Sequence, residues 1–441
     1  MTPDQLADLS RVLYSPVTLS LYLAAAFVYL YALTTTVGRR DERHRGLIAR
    51  RIGAVLTFAG IGTHVVHEVT RGLAQSRLPL GNMFEVNSLM ALVGVVVGFT
   101  YLTFIRKRPE LNGFVLLGGA LVLASALLMY AEPGPLMPIL DTWWRYFHVS
   151  LLIGAMGIFA AGFVFNGLYL LRDTGERSLP SDGAPGLGGA GPSTGGGGAG
   201  PSAGGGGAGP SIRRGGSAPS ASGAGGVPAA DLGSGGGVGD GVGAYEPERS
   251  AVSDRTTDTL DPVDDDAREH DAAYRATLRA GVSPLRLGIG TFLVTSLVSW
   301  VFIYSAESVG AGVGRFLMIN LVMVAAALLA RWFVPFLPST ATLDGLAHRT
   351  IAFGFLMWTV GTIAGAMWAE QSWGRFWGWD PKETGAFLTW VAYAAYLHAR
   401  ATSGMKGRKA AWIGVGAFVV LMATYLIANY VIVGLHSYAG L

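Results

Sequence analysis

Trp373-Gly374-Arg375-Phe376-Trp377-Gly378-Trp379-Asp380-Pro381-Lys382-Glu383-Thr384 joins two apolar runs, near 350–369 and 383–400. Each run is close to the roughly 20 residues that a helix needs to cross the hydrocarbon of a bilayer. Working outward, further runs of the same kind lie near 16–37, 52–70, 84–105, 112–131, 148–171, 286–305, 314–334 and 411–434. Lipid cannot satisfy exposed backbone groups, so continuous runs such as these must cross as helices. The chain therefore reads as all-α, a polytopic membrane helix bundle with about ten transmembrane helices.

Composition points the same way. Of 441 residues, 51% are hydrophobic and only 14% charged, against about 25% charged in ordinary soluble domains. A net charge of +3 is too small to suggest a nucleic-acid partner. The absence of cysteine excludes a disulfide framework, a thiolate metal site and a CxxC redox motif. The opening Met1-Thr-Pro-Asp4-Gln-Leu-Ala-Asp8 has no basic n-region. The first apolar run is therefore expected to stay as a helix rather than be cleaved.

Basic residues set the orientation. Arg39, Arg40, Arg43, Arg45, Arg50 and Arg51 follow the first run, Arg106, Lys107 and Arg108 the third, and Arg400, Lys406, Arg408 and Lys409 the ninth. With these loops cytoplasmic, both termini and the tryptophan-rich loop face outward from a multi-pass protein of the cell membrane.

Three regions follow: N-terminal helices 1–5 over 1–171, a linker over 172–285, and helices 6–10 with the tryptophan loop over 286–441. Within the linker GGAGPS recurs from Gly188, Gly197 and Gly206. No aspartate occupies the calcium positions of a β-roll, so that reading fails. Gly/Ser/Pro/Ala composition instead predicts a flexible cytoplasmic connector, extended by the acidic Asp261–Asp266 region. Ala272–Ala280 is weakly amphipathic and suits the membrane surface.

Three tryptophans and an aspartate within residues 373–380 exceed what interfacial anchoring requires. The aromatic wall they could form suits a large, flat, amphipathic ligand at the membrane surface, with haem the leading candidate. Histidine is the main ligand type on offer. His44 and His270 sit in polar segments and read as solvated, and His348 beside Arg349 reads as an interfacial anchor. His148 and His436 fall at the outer ends of the fifth and tenth runs, at the depth of the tryptophan loop. Two imidazoles on opposite faces of a porphyrin can ligate its iron, although a lone interfacial histidine is more often packing. His398 lies 15 residues beyond Glu383, about 22 Å along a helix, near the cytoplasmic end of the ninth run. An ionisable residue there is a functional candidate, the alternative being a side chain that reaches the interface beside Arg400. Asp380-Pro381-Lys382-Glu383 reads as N-cap, N1 proline and N3 glutamate, so Asp380 is expected to cap a helix rather than touch a ligand. His64 and His67, three apart with Glu68 beside them, read as a buried polar contact between helices. Asn82 reads as a cap, and Glu85 as a partner for an external arginine.

At these residues the chain resembles the CcsA family of System II cytochrome c biogenesis (also called ResC, or CcsB in actinobacteria). The likeness runs through Leu78-Pro-Leu-Gly-Asn-Met-Phe-Glu85, Trp144-Arg-Tyr-Phe-His148-Val149, Leu343-Asp344 and the complete WGxxWxWDPKET pattern. It continues through Tyr396-Leu-His398-Ala-Arg400 and Gly434-Leu-His436-Ser-Tyr-Ala-Gly-Leu441. The resemblance implies a protein that takes haem b as transported substrate and presents it at the outer face to apocytochrome c CxxCH motifs. His148 and His436 would then be external iron ligands beneath Trp373, Trp377, Trp379 and Asp380, and His398 a ligand within the membrane. It also implies a ResB-type membrane subunit bearing the other transmembrane histidine, and indirectly a thioredoxin-like thiol reductant. The helix pair at 286–334 and the linker look longer than the usual core of that family. A membrane scaffold whose loop binds a partner without haem remains the reading from another class. A System I haem protein of the CcmC or CcmF type shares a tryptophan-rich loop, but the DPKET continuation and HSYAGL ending argue against it.

Overall fold

The structure, a computed structural model, describes residues 1–37, 40–134, 142–179, 262–304, 306, 308–432 and 434. Among the described residues every regular element is helical. Among the described residues, eight helical stretches are long and apolar enough to cross a membrane. A ninth is counted if α7 (Pro262–Ala280) and α8 (Pro284–Ser299), bent by 44° at their junction, act together. The chain is a multi-pass membrane helix bundle.

The sequence expectation of about ten differs at α12 (Pro381–Thr402). This is a continuous helix, but its composition falls short of that of the other spans. Lys382, Glu383, His398 and Arg400 lie at its ends, and Thr389, Tyr393 and Tyr396 are buried on its inner face. Polarity that would be unfavourable against lipid is directed into protein.

The helices outrun the apolar runs that announce them. α3 (Arg40–Ala74), α6 (Trp143–Glu176) and α11 (Thr340–Trp373) have 35, 34 and 34 residues. Polar residues flank each apolar run and are themselves good helix formers, so hydropathy marks the membrane segment and not the helix. His44 is exposed on the polar start of α3, as expected.

In the N-terminal part α2 (Ser20–Thr34), α3, α4 (Met83–Thr100) and α5 (Asn112–Leu127) pack together around Tyr22, Tyr29, Val95 and Leu116. α6 is the central helix, packing on α4, α11 and α13 (Arg408–Tyr430). Where α6 crosses α4, a Cβ on Gly157 would meet Gly94 N and Met90 O at 3.0 Å, so the backbones touch through glycine. This is the close approach that membrane helix packing favours. α10 (Val309–Trp332) packs on α8, which flanks α13.

His64 and His67 prove to be buried packing contacts. His64 Nδ1 lies 3.1 Å from Tyr22 Oη and Nε2 lies 3.1 Å from Ser88 Oγ, while His67 Nδ1 donates to Ser10 O at 2.8 Å. Ser88 in turn donates to Glu68 at 2.5 Å.

Candidate functional site

Thr142 opens α6 by accepting the Arg145 N–H with its side chain at 3.3 Å. This cap sets the helical phase that buries Arg145 and turns His148 inward. Arg145 donates from Nη1 to Leu80 O at 3.0 Å and lies over the Tyr146 ring. Those contacts tie the start of α6 to the 78–85 loop. Asn82 caps α4 by accepting Glu85 N–H at 3.0 Å, and the fully buried Glu85 carboxylate gathers the loop. It accepts from Arg71 at 3.0 Å, Arg77 at 2.9 Å and Gly81 N at 2.7 Å. An unpaired carboxylate buried here would be costly, and two guanidiniums with a backbone amide remove that cost.

α11 ends at Trp373, where Gly374 takes φ +68° and its N–H donates to Glu370 O at 2.8 Å. Such a left-handed cap suits glycine. The loop then runs to Trp379, a non-glycine residue held at φ +58°. Asp380 is the N-cap of α12 in a full capping box, as its spacing predicts. Glu383 Oε2 accepts from Asp380 N at 3.1 Å and from Gly378 N at 2.7 Å, so one carboxylate closes the loop on the helix it precedes.

Between these parts lies a cavity of ≈ 230 Å³. His148, Arg145, Trp358, Trp368, Trp377, Lys382 and Glu383 line it, with Asn82, Met83 and Val86 on another side and Thr389, Thr424 and Tyr425 beneath. The His148 ring is 6.0 Å from that of Trp368. Its Nδ1 donates to Gly361 O at 2.7 Å, a bond that places the ring lone pair on Nε2, the ligating tautomer of many metal-bound histidines. Gly365 provides the room: a Cβ there would come 2.5 Å from the His148 ring. Burial pushes the Lys382 ammonium, at the loop end of α12, down to about 8, with Asp380 acting the other way.

The sequence-derived residues divide among several places. His148 and Trp377 line the cavity. Trp373 stands behind them, its ring 5.2 Å from that of Trp368. Trp379 is 66% exposed and packs edge-on to Phe387, away from the cavity lining. Asp380 is buried as the cap and is not among the lining residues. His398 is exposed near the far end of α12, outside the cavity. His436 lies outside the described residues. Gly434 is described, and a Cβ on it would stand 2.5 Å from Asp380 Oδ1 and 2.8 Å from Pro381, so the chain there abuts the base of the tryptophan loop.

Sequence reading missed five contributors. Trp368 sits inside an apolar run and resembles core. Gly361 and Gly365 act by what they lack. Lys382 and Glu383 appeared only as capping residues, and nothing local signalled that they also face a cavity. At the opposite end of α12, Arg400 makes a two-pronged ion pair with Asp344, both bonds 2.7 Å, clamping α12 to α11. His348 packs nearby against Tyr396.

Residues 282–436 match the family described as cytochrome C assembly protein. The helix pair near 286–334 falls inside the matched region. The chain is also similar to proteins named cytochrome c biogenesis protein CcsA. It is 52% identical to that of Guillardia theta over 100 residues, 23% of this chain and 33% of the relative. It is 51% identical to that of Synechococcus sp. (strain RCC307) over 96 residues, covering 22% and 31%. With the protein of Gloeobacter violaceus the identity is 52% over 100 residues, covering 23% and 30%. The chain thus spans about a third of the length of the curated relatives it matches. Over the matched region, which holds the tryptophan loop and the capped helix that follows it, the chain is similar to cytochrome c assembly proteins and to proteins named CcsA.

Proposed function

We propose that this protein acts in cytochrome c assembly, moving haem b across the membrane and presenting it at the outer face for attachment to apocytochrome c. The observation that carries the reading is His148, held as the Nδ1–H tautomer by Gly361 O in a cavity walled by Trp368 and Trp377. The residues suit haem in kind. They offer an imidazole, broad ring faces, apolar side chains such as Val86 and Met83, and two cations, Arg145 and Lys382, that suit propionates. An orienting bond on the far nitrogen raises the basicity of a ligating imidazole.

In this reading His148 is one external iron ligand and His436 the other. Gly434, two residues before His436, packs closely on Asp380 at the base of the loop, which supports this reading. The Trp368 and Trp377 rings would hold the porphyrin, whose vinyl groups would meet an incoming CxxCH segment. Each cysteine sulfur then bonds the inner vinyl carbon, and the thiol proton ends on the terminal carbon, so no electrons are lost or gained. His398, exposed on α12, is the transmembrane ligand, and its outward position suits a second histidine supplied by a ResB-type subunit. A thioredoxin-like reductant acts indirectly, by keeping the apocytochrome thiols reduced. The glycine-rich segment between α6 and α7 is cytoplasmic, and both termini and the tryptophan loop are external in the cell membrane.

The test is the haem content of the purified chain, measured by pyridine haemochrome. The wild type carries haem with a bis-histidine Soret spectrum. His148→Ala loses that haem and cytochrome c maturation, and added imidazole restores part of both by filling the vacated coordination position. A colourless preparation that still supports maturation refutes the haem reading and favours a scaffold role.

A further inference from the structure

A second cavity, of ≈ 510 Å³, lies among α5, α6, α8, α10 and α13. Its size falls within the roughly 300–1,000 Å³ of small-molecule sites. Phenylalanine, leucine, valine and alanine side chains make most of its wall. The space is left by small residues: a Cβ on Gly167 or on Gly290, both in the lining, would meet nothing within 4 Å.

Charge is confined to one end. Arg286 and Arg408 line the cavity, each in the first turn of its helix, and neither first turn holds an acidic residue. Both helices begin beside the end of α6. Arg408 pairs with Asp173 at 2.7 Å, and Gly281, at the start of the α7–α8 bend, packs against Ser178. Basic side chains at helix N-termini add to the positive end of the macrodipole instead of opposing it. Asp173 is already shared with Arg177 at 2.8 Å, and among the described residues Arg286 has no acidic partner. This end of the cavity therefore carries uncompensated positive charge above an apolar interior. The complement is an amphiphile with an anionic head and an apolar tail. No histidine lines the space, so a metalloporphyrin would find no imidazole there.

We propose that this cavity binds an anionic phospholipid, with an acyl chain in the apolar interior and the phosphate at Arg286 and Arg408. Basic pockets between helices on the cytoplasmic side are recurrent sites for anionic headgroups, and the proposed orientation puts this end there. The proposal stands independently of the haem reading, since the two cavities share no lining residue.

The experiment is native mass spectrometry of the full chain released from nanodiscs of phosphatidylglycerol or of phosphatidylcholine. One phosphatidylglycerol is expected to stay bound where phosphatidylcholine is lost. Arg286→Gln, which leaves the Arg408–Asp173 pair intact, should weaken retention roughly fivefold, the effect of one cation near an anionic headgroup. Gly167→Leu, at a position where an added Cβ meets nothing within 4 Å, extends into the space and should remove lipid of either headgroup while the unfolding temperature holds. Equal retention of both lipids, or retention unchanged by Gly167→Leu, overturns the proposal. So does one-for-one displacement of the lipid by haem, which would assign the cavity to cargo. Haem bound at His148 is read separately by its Soret band, so failure here leaves that reading untouched.

Discussion

A methyl group at position 365 would stand 2.5 Å from His148 Cε1 and 2.6 Å from Nδ1, far inside contact distance. Gly365→Ala is therefore expected to turn the imidazole and lower haem per protein, although alanine is the better helix former. Gly345 lies on the same helix with nothing within 4 Å of an added Cβ. Gly345→Ala should leave haem unchanged and add about 0.4–1 kcal/mol of stability, so comparing the two separates imidazole position from helix propensity. Among the tryptophans, Trp377→Ala should reduce haem more than Trp379→Ala, because Trp377 lines the cavity and Trp379 is largely exposed. Asp380→Asn keeps a good cap and should be mild, whereas Asp380→Ala should cost roughly 0.5–2 kcal/mol of local stability. The ranking fails if Asp380→Asn loses haem while a Trp373→Ala/Trp377→Ala double variant keeps it. Lys382 sets a pH dependence. It is charged below about 8 and neutral above, so haem retention should fall as pH rises through that region, and the fall should vanish in Lys382→Met. Bound propionate favours the charged form and moves the midpoint upward, a shift that a titration of haem content reads directly.

α12 shows which elements a sequence reveals. Its start was legible because a capping box is local, set by Asp380 and Glu383 three residues apart. Glu85 and Asn82 were legible for the same reason. The ion pair at its other end was not, since Asp344 and Arg400 are 56 residues apart and meet only when α11 and α12 are placed together. The buried role of Trp368 was hidden in the same way, because an apolar run does not state which face turns inward. The Asp344–Arg400 clamp is part-buried, with side-chain exposures of 15% and 9%. Arg400→Ala should therefore cost about 1–3 kcal/mol, between the values for surface and buried pairs. Thermal unfolding of the detergent-purified protein checks this, and an Asp344→Asn/Arg400→Gln pair should recover part of the loss. If Arg400→Ala leaves the unfolding temperature unchanged, the clamp contributes nothing measurable.

For the molecule as a whole, composition and the spacing of apolar runs reveal an all-helical membrane bundle, because lipid permits little else. They do not reveal which helices touch, and the central place of α6 against α11 emerges only from packing. Deleting residues 185–240 should leave haem content and maturation nearly intact, because the sequence there is Gly/Ser/Pro-rich and changing the length of a long connection alters its closure cost little. Loss of maturation by a deletion protein that is stable in the membrane would show that the segment does more than connect. The ends of the bundle on either side of this stretch are already joined: a Cβ on Gly175 would come 2.6 Å from Leu278 O, so the last turn of α6 and the last turn of α7 are in backbone contact. The end of α6 is thus held to the C-terminal end of α7 without the intervening chain, and the covalent link between the two portions is dispensable in principle. Residues 1–184 and 262–441, synthesised as separate polypeptides in one cell, should find each other through the α6–α11 surface and co-purify as a nicked but working protein.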